Sequence, residues 1–188
     1  LKRIFDIVVS IFVLTTFSWV YLIVALAVKF SSKGPIFYSH ERIGWHGKPF
    51  MIHKFRSMYT DAEKMGPALS SKHDPRITPL GRFLRKVRLD EIPQFYNVLI
   101  GEMSIVGPRP EQVNIAKELN EQIPYYDERH IVKPGLTGWA QLHVYAGTLE
   151  ETKRKLQYDL YYIKHRSLLF DAEIILKTIY NIISFAGR

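Results

Sequence analysis

Between Ile7 and Val28 the chain runs for 22 residues without a charged side chain. As a helix rising ~1.5 Å per residue this stretch would reach about 33 Å, enough to cross the hydrocarbon core of a bilayer. A segment of that kind has to be buried in protein or in lipid, so it governs how the rest of the chain is arranged. Signal-peptide h-regions run to about 15 residues, so Lys2-Arg3 before the stretch and Ala25-Leu26-Ala27 within it read as a flank and a helix, not a cleaved leader. Lys2 and Arg3 precede it, while Lys29 and Lys33 follow it. Both ends therefore look cytoplasmic by the positive-inside rule. Thr15, Thr16 and Ser18 lie at its centre, where hydroxyls can satisfy backbone groups freed by a bend. These residues allow a helix that enters and turns back, and equally a straight span with back-bonded hydroxyls. The first residue is Leu, which is compatible with a piece of a longer protein.

The whole sequence has 188 residues, 47% of them apolar, which is enough to bury a real core in one domain. The absence of cysteine excludes a disulfide framework, a thiol nucleophile and a zinc-thiolate site, and permits a cytosol-facing location. A formal charge of +8 and a pI near 9.6 favour an anionic partner: nucleic acid, lipid headgroups or a nucleotide. No helix-turn-helix, zinc-finger or RNA-binding signature accompanies that charge, and a nucleic-acid binder has no need of the apolar stretch.

After the apolar stretch, Gly34 to His40 reads as extended, Arg42-Ile43-Gly44 leads into a turn around His46-Gly47-Lys48, and Phe50 to Phe55 alternates as a strand does. The two runs predict a small β-hairpin with Lys54 and Arg56 at the end of its second strand, positions equally suited to a solvated edge. Asp61 to Met65 is helix-like, and Gly66 to Asp74 a polar loop. A helix then begins with Thr78 as N-cap and Pro79 in its first turn, with Leu80, Phe83, Leu84 and Val87 as its apolar stripe. Pro93 breaks it and fits the first turn of a second helix that continues through Phe95, Val98 and Leu99, with Asp90 as N-cap.

Asp90-Glu91 follows Arg82, Arg85, Lys86 and Arg88 and precedes Gly107-Pro108-Arg109-Pro110, so a carboxylate pair lies among phosphate-binding cations. Capping alone would explain Asp90. The same setting also suits chemistry: a helix N-terminus and arginines hold a carboxylate ionised, and an ionised Asp is a usable nucleophile toward phosphorus. Guanidinium groups would bind the phosphate under attack. A carboxylate-held Mg²⁺ would neutralise a pyrophosphate leaving group. Glu91 is the metal ligand or general base on this reading, and an exposed first-turn acid on the plainer one. Arg109, between two prolines, is stiffly placed for bidentate phosphate binding or simply stands on a turn. Gly101 to Ser104 makes a turn. The glycines of Lys133 to Gln141 permit a close backbone approach to a ligand, with Trp139 as core or as a stacking platform. Glu111 to Glu128 reads as a solvated helix and loop. Leu156 to Ile163, with Tyr158, Tyr161 and Tyr162, suits an interfacial helix, and Leu168 to Phe185 an amphipathic one.

The chain resembles the bacterial monotopic phosphoglycosyl transferases, which load a sugar-1-phosphate onto polyprenyl phosphate. The matching motifs are Lys2 to Asp6, Gly34 to Phe37, Lys54 to Met58, Leu89-Asp90-Glu91, Asn97-Val98, Gly107 to Pro110, Lys133 to Gln141 and Asp159 to Tyr162, collinear over nearly the whole chain. The resemblance implies an α+β fold with a membrane-embedded, re-entrant helix (1–33) and a cytosol-facing catalytic domain (34–188) with a small β-hairpin and interfacial C-terminal helices. It implies a ping-pong reaction at the bacterial inner membrane, on its cytoplasmic face. Asp90 would attack the sugar-bearing phosphate of a nucleotide-sugar donor, usually a UDP-sugar, and the polyprenyl phosphate acceptor would then take the phosphosugar. Mg²⁺ is implied as cofactor, with Asp90 and Glu91 as catalytic pair and metal ligands. Lys54, Arg88 and Arg109 are the expected phosphate contacts. Arg56, Thr137, Gln141 and Asp159 are candidates for substrate binding without an assigned role, and Leu142 to Tyr145 for sugar selectivity. Membrane lipids are expected partners, a homodimer is allowed, and nucleic acid is not expected. The family's helix breaks at a Ser-Pro pair, where this chain has Ser18-Trp19. A membrane-anchored module that binds polyprenyl phosphate or a nucleotide sugar without reacting would use the same cations, and a prenyl-diphosphate hydrolase would share metal and arginines but transfer to water.

Overall fold

The computed structural model describes residues 1–60, 62, 74–144 and 147–184. The uncharged stretch is not one straight helix. It is divided between α1 (Lys2–Thr16) and α2 (Ser18–Ser31), which meet at a 63° bend. Phe17, at φ −100° and ψ 17°, forms the break. There is no proline at the break; Thr15 Oγ1, just before it, donates to the carbonyls of Ile11 and Phe12 at 2.8 and 3.2 Å. Among the described residues no single helix is long and apolar enough to cross a membrane, and only the bent pair together meets that test.

The hairpin forms as expected from β1 (Phe37–Ile43) and β2 (Pro49–Phe55), antiparallel, with Tyr38 opposite Lys54 and His40 opposite Ile52. His46 and Gly47, both at positive φ, turn the chain between them. Alternation puts Phe50 and Ile52 into the main core and Lys54 next on the same face. On the other face, Phe55 joins Val24, Ala25 and Val28 of α2 and Leu84 of α3 (Pro79–Lys86) in a second cluster. Thr78 caps α3, accepting from the Gly81 amide at 2.9 Å. Gly81 is required, because a Cβ there would lie 2.0 Å from the Ser57 carbonyl oxygen. Of the expected stripe, Leu80 and Leu84 pack inward, but Phe83 is 56% exposed.

Asp90 is not an N-cap. Arg88 adopts the left-handed conformation (φ 60°) and turns the chain into a tight 3₁₀ turn, Leu89–Glu91. That turn is closed by the Glu91 and Ile92 amides donating to the carbonyls of Arg88 and Leu89. Pro93, which has no N–H to satisfy, then starts α4 (Gln94–Ile100), and no side chain caps it. Asp90 is left with its carboxylate free of that duty.

Gly101 at φ 95° ends α4, and β3 (Ser104–Val106) leads to Gly107. After α5 (Val113–Gln122), a 3₁₀ turn at Tyr126–Ile131 leads to β4 (Gly135–Thr137), parallel to β3. The glycines of this region lie against backbone. A Cβ on Gly135 would lie 2.1 Å from the Gly107 nitrogen, and one on Gly138 2.2 Å from its oxygen. The chain closes with α6 (Trp139–His143), α7 (Leu149–His165) and α8 (Leu168–Ile183). Trp139 packs on the main core beside Phe170. Tyr162 of α7 is also buried, its hydroxyl donating to Asp171 at 2.8 Å, whereas Tyr161 is 49% exposed. Asp61 to Met65, Gly66 to Asp74 and Tyr145 fall outside the described residues, apart from Ala62 and Asp74.

The first turns of α1 are tied into the body of the protein. Lys2 pairs with Asp171 of α8 at 2.6 Å. Arg3 donates to the carbonyls of Val98 and Leu99 at the end of α4. Asp6, 2% exposed, accepts from the Ser104 hydroxyl and the Ile105 amide, both at 3.0 Å. Apolar side chains elsewhere on the bent pair face outward, Val8, Phe12, Trp19 and Leu22 among them, as do Leu169, Leu176 and Ile183 on α8.

Candidate active site

Lys54, at the end of β2, and Asp90-Glu91, in the 3₁₀ turn, are brought together by the hairpin face described above. The turn that leaves Asp90 uncapped delivers Glu91 to the cations. Its Oε1 lies 2.7 Å from Arg109, 3.4 Å from Lys54 and 3.7 Å from Arg88. Four of the five residues named from sequence as catalytic or phosphate-binding therefore share one carboxylate oxygen. Burial would raise the Glu91 pKa, but Arg109, Lys54 and Arg88 outweigh it and hold the carboxyl far below the usual range. Glu91 is thus an ionised counter-ion in the resting site.

Asp90, expected from sequence to be held ionised by a helix end and arginines, has the opposite electrostatics, because it caps no helix and burial outweighs the cations. It is 6% exposed, and burial, followed by the Glu91 charge, pushes its pKa up, with Lys54, Arg85 and Arg88 opposing in part. Its Oδ1 is buried with no hydrogen-bond partner among the described residues. An unpartnered buried carboxylate oxygen is costly unless a ligand or a reaction uses it. Burial pushes the Lys54 ammonium down to about 8, with Arg109 and Arg42 adding to the effect and Glu91 and Asp90 resisting it.

Arg109 is held from behind. Arg129, 2% exposed, donates to the Arg109 carbonyl at 2.8 Å and to the Tyr126 hydroxyl at 2.7 Å. Asp159, equally buried, pairs with Arg129 at 2.8 Å. Glu111 completes this layer between Lys155, Arg129 and Arg42. Asp159 therefore stands behind Arg109 and not beside Asp90. Glu111 does not belong to a merely solvated helix, because its side chain joins α5's N-terminal edge to α7 and β1.

Of three other sequence candidates, two are engaged elsewhere. Arg56 is buried and donates to the Val28 and Ser32 carbonyls at 3.2 and 2.7 Å, closing the C-terminal end of α2. Thr137 shares a 2.6 Å hydrogen bond with Thr178 of α8. Gln141 lies on α6, its Nε2 buried without a partner among the described residues. Arg42 and Arg129 were not singled out from sequence. The period of β1 places Arg42 on the Lys54 face, a signal that was readable, whereas nothing local marks Arg129.

Two predictions follow from the layer behind Arg109. Asp159→Ala removes the closer carboxylate of Arg129 and leaves the buried guanidinium only the more distant Glu111 at 3.8 Å, so a loss of about 3 kcal/mol is expected in denaturant unfolding. The apolar double variant Arg129→Met/Asp159→Leu should lose less than the two single losses combined, and strict additivity would contradict the pairing. For Glu111, burial opposes ionisation, but Lys155, Arg129 and Arg42 lower its pKa from 4.5 to about 2. The folded pKa lies below the unfolded one, so its stabilisation is present above pH 4.5 and lost as pH falls toward 2. Wild type should exceed Glu111→Gln by roughly 3 kcal/mol at neutral pH, with the gap closing through that acid window.

The family model described as bacterial sugar transferase matches residues 1–185. Over its full length the chain is 42% identical to the UDP-N-acetylgalactosamine-undecaprenyl-phosphate N-acetylgalactosaminephosphotransferase of Aeromonas hydrophila, covering 44% of that protein. With 96% of its length it is 44% identical to the UDP-glucose:undecaprenyl-phosphate glucose-1-phosphate transferase of Escherichia coli, covering 40% of that protein. It is 39% identical to the exopolysaccharide production protein PSS of Rhizobium leguminosarum bv. phaseoli, covering 93% of it. The chain thus spans less than half of the first two relatives and nearly all of the third. Matched from its first residue to its last helix, the chain belongs to the bacterial sugar transferase family.

Proposed function

We propose that this chain transfers a sugar-1-phosphate from a UDP-sugar to undecaprenyl phosphate, with Asp90 as covalent nucleophile. The observation that carries the reading is the contrast within the acidic pair: Glu91 is neutralised by three cations, while the Asp90 Oδ1 is buried with no partner among the described residues. A carboxylate whose pKa is raised is the more basic and nucleophilic member. The names of the relatives from Aeromonas hydrophila and Escherichia coli supply the donor and acceptor classes.

In the first step a carboxylate oxygen of Asp90 forms a bond to the sugar-bearing phosphorus. The bond from that phosphorus to the bridging oxygen breaks, and UMP leaves with the electron pair. In the second step an oxygen of undecaprenyl phosphate attacks the same phosphorus, and the Asp90 carboxylate is regenerated. Arg109, Lys54 and Arg88 bind and orient the phosphates, and because they already surround Glu91 they need little reorganisation as charge develops. Arg129 keeps Arg109 in place through its carbonyl.

Mg²⁺ is commonly held by one or two carboxylates with waters and substrate phosphates, and Asp90 Oδ1, unpartnered among the described residues, is the free oxygen such a site would use. Asp90 and Glu91 are the residues that would hold it, and it would supply charge neutralisation at the leaving phosphate. We further infer that residues 1–33 lie in the membrane as a re-entrant pair, with 34–188 on the cytoplasmic face of a bacterial inner membrane. The bend at Phe17 and the outward apolar side chains of α1, α2 and α8 support this.

The direct test is product analysis with the purified protein, Mg²⁺, a panel of UDP-sugars and undecaprenyl phosphate. UMP and a lipid-diphosphate sugar are expected for at least one donor, with Asp90→Asn slowed by about 10³-fold or more. Tight donor binding without either product would favour a binding module, and free sugar phosphate with unchanged lipid would favour a hydrolase.

A further inference from the structure

His40 lies on β1 opposite Ile52, and Tyr38, two residues earlier, lies opposite Lys54. The ring therefore shares the hairpin face of Lys54. Arg42 donates its Nε–H to His40 Nε2 at 2.6 Å. An arginine is always protonated and accepts nothing, so Nε2 must be the bare nitrogen and a neutral ring carries its proton on Nδ1. That Nδ1 is buried and has no partner among the described residues. Tyr38 stacks on the ring at 5.2 Å and restrains it. Burial, and then Arg42, Lys54 and Arg109, push the ring pKa down to about 3, so it stays neutral.

A buried donor without an acceptor destabilises a fold unless a ligand completes it. The groups that act on this ring are three cations, so the acceptor that matches the surroundings is an anionic oxygen. We propose that the Nδ1–H of His40 donates a hydrogen bond to a diphosphate oxygen of the nucleotide sugar, beside Lys54 and Arg109. This rests on the donor class proposed above. A neutral donor suits the place, because a fourth cation would repel the other three, whereas an imidazole N–H adds direction without charge. Arg42 acts as the positioning residue that fixes the tautomer.

The test uses the full chain in detergent with ¹⁵N-imidazole histidine, observed by long-range ¹H–¹⁵N correlation at neutral pH. The His40 ring should be in the Nδ1–H form without ligand. UDP with Mg²⁺, and inorganic pyrophosphate, should both move its Nδ1 resonance, while uridine should not. His40→Phe should weaken UDP binding by about tenfold or more. His40→Gln, which keeps a donor and an acceptor end, should recover most of that loss. An Nε2–H ring, a ring resonance unmoved by bound UDP, or equal UDP affinity for His40→Phe would overturn the proposal and leave the transferase reading standing. Failure of the wild type to bind UDP at all would overturn the donor class, and this proposal with it.

Discussion

One carboxylate oxygen, Glu91 Oε1, organises the candidate site. Arg109, Lys54 and Arg88 arrive from three different parts of the chain and would repel one another without it. In a partly buried site like-charge repulsion is weakly screened, so the cations can be gathered before a phosphate arrives only if an anion already lies among them. Glu91 is that anion, and its pKa is held down accordingly. Asp90, one residue away, has no hydrogen-bond partner for its Oδ1 among the described residues, and we propose it as the reactive member.

The backbone makes this division of labour. The left-handed Arg88 converts a helix end into a 3₁₀ turn. Such a conformation is strained in a residue other than glycine, and strain of that kind is retained where the surroundings enforce it. Behind the turn, two buried layers set the positions. Asn97 bonds the His53 amide, the Met51 carbonyl and Glu102, fastening α4 to β2. Arg129 and Asp159 fasten Arg109 to α7. The N-terminal Lys2, Arg3 and Asp6 bind α8, α4 and the start of β3, so the bent helix pair and the site form one connected structure.

Much of this was legible in the sequence, and the failures are informative. The hairpin, the Thr78 cap and the Gly101 turn follow from local rules of period and capping, and they stand as expected. Lys54, Arg88 and Arg109 as phosphate contacts beside Glu91 came from the family resemblance, where local sequence left each with a plainer reading, and they converge on one oxygen. Asp90 as N-cap failed because a left-handed Arg88 cannot be anticipated from a residue type that rarely adopts that conformation. The close approach allowed by Gly135 and Gly138 was legible, but its object was not: the neighbour is Gly107, distant in sequence. Arg56 and Asp159 illustrate the same limit, since a buried charge chooses its partner through tertiary contact. The bend at Phe17 lacks its simplest cause, a proline, and was legible only through the hydroxyls around it.

The central claim is that Asp90 reacts while Glu91 serves as counter-ion. Intact-protein mass after mixing the pure protein with Mg²⁺ and a panel of UDP-sugars, without lipid acceptor, tests it most directly. The account predicts a mass increase equal to one sugar phosphate on the wild type and on none of the Asp90→Asn protein, with the adduct lost when undecaprenyl phosphate is added. Turnover with no adduct under any donor, and UMP released only once the lipid is present, would contradict it and make Asp90 a metal ligand in a direct transfer.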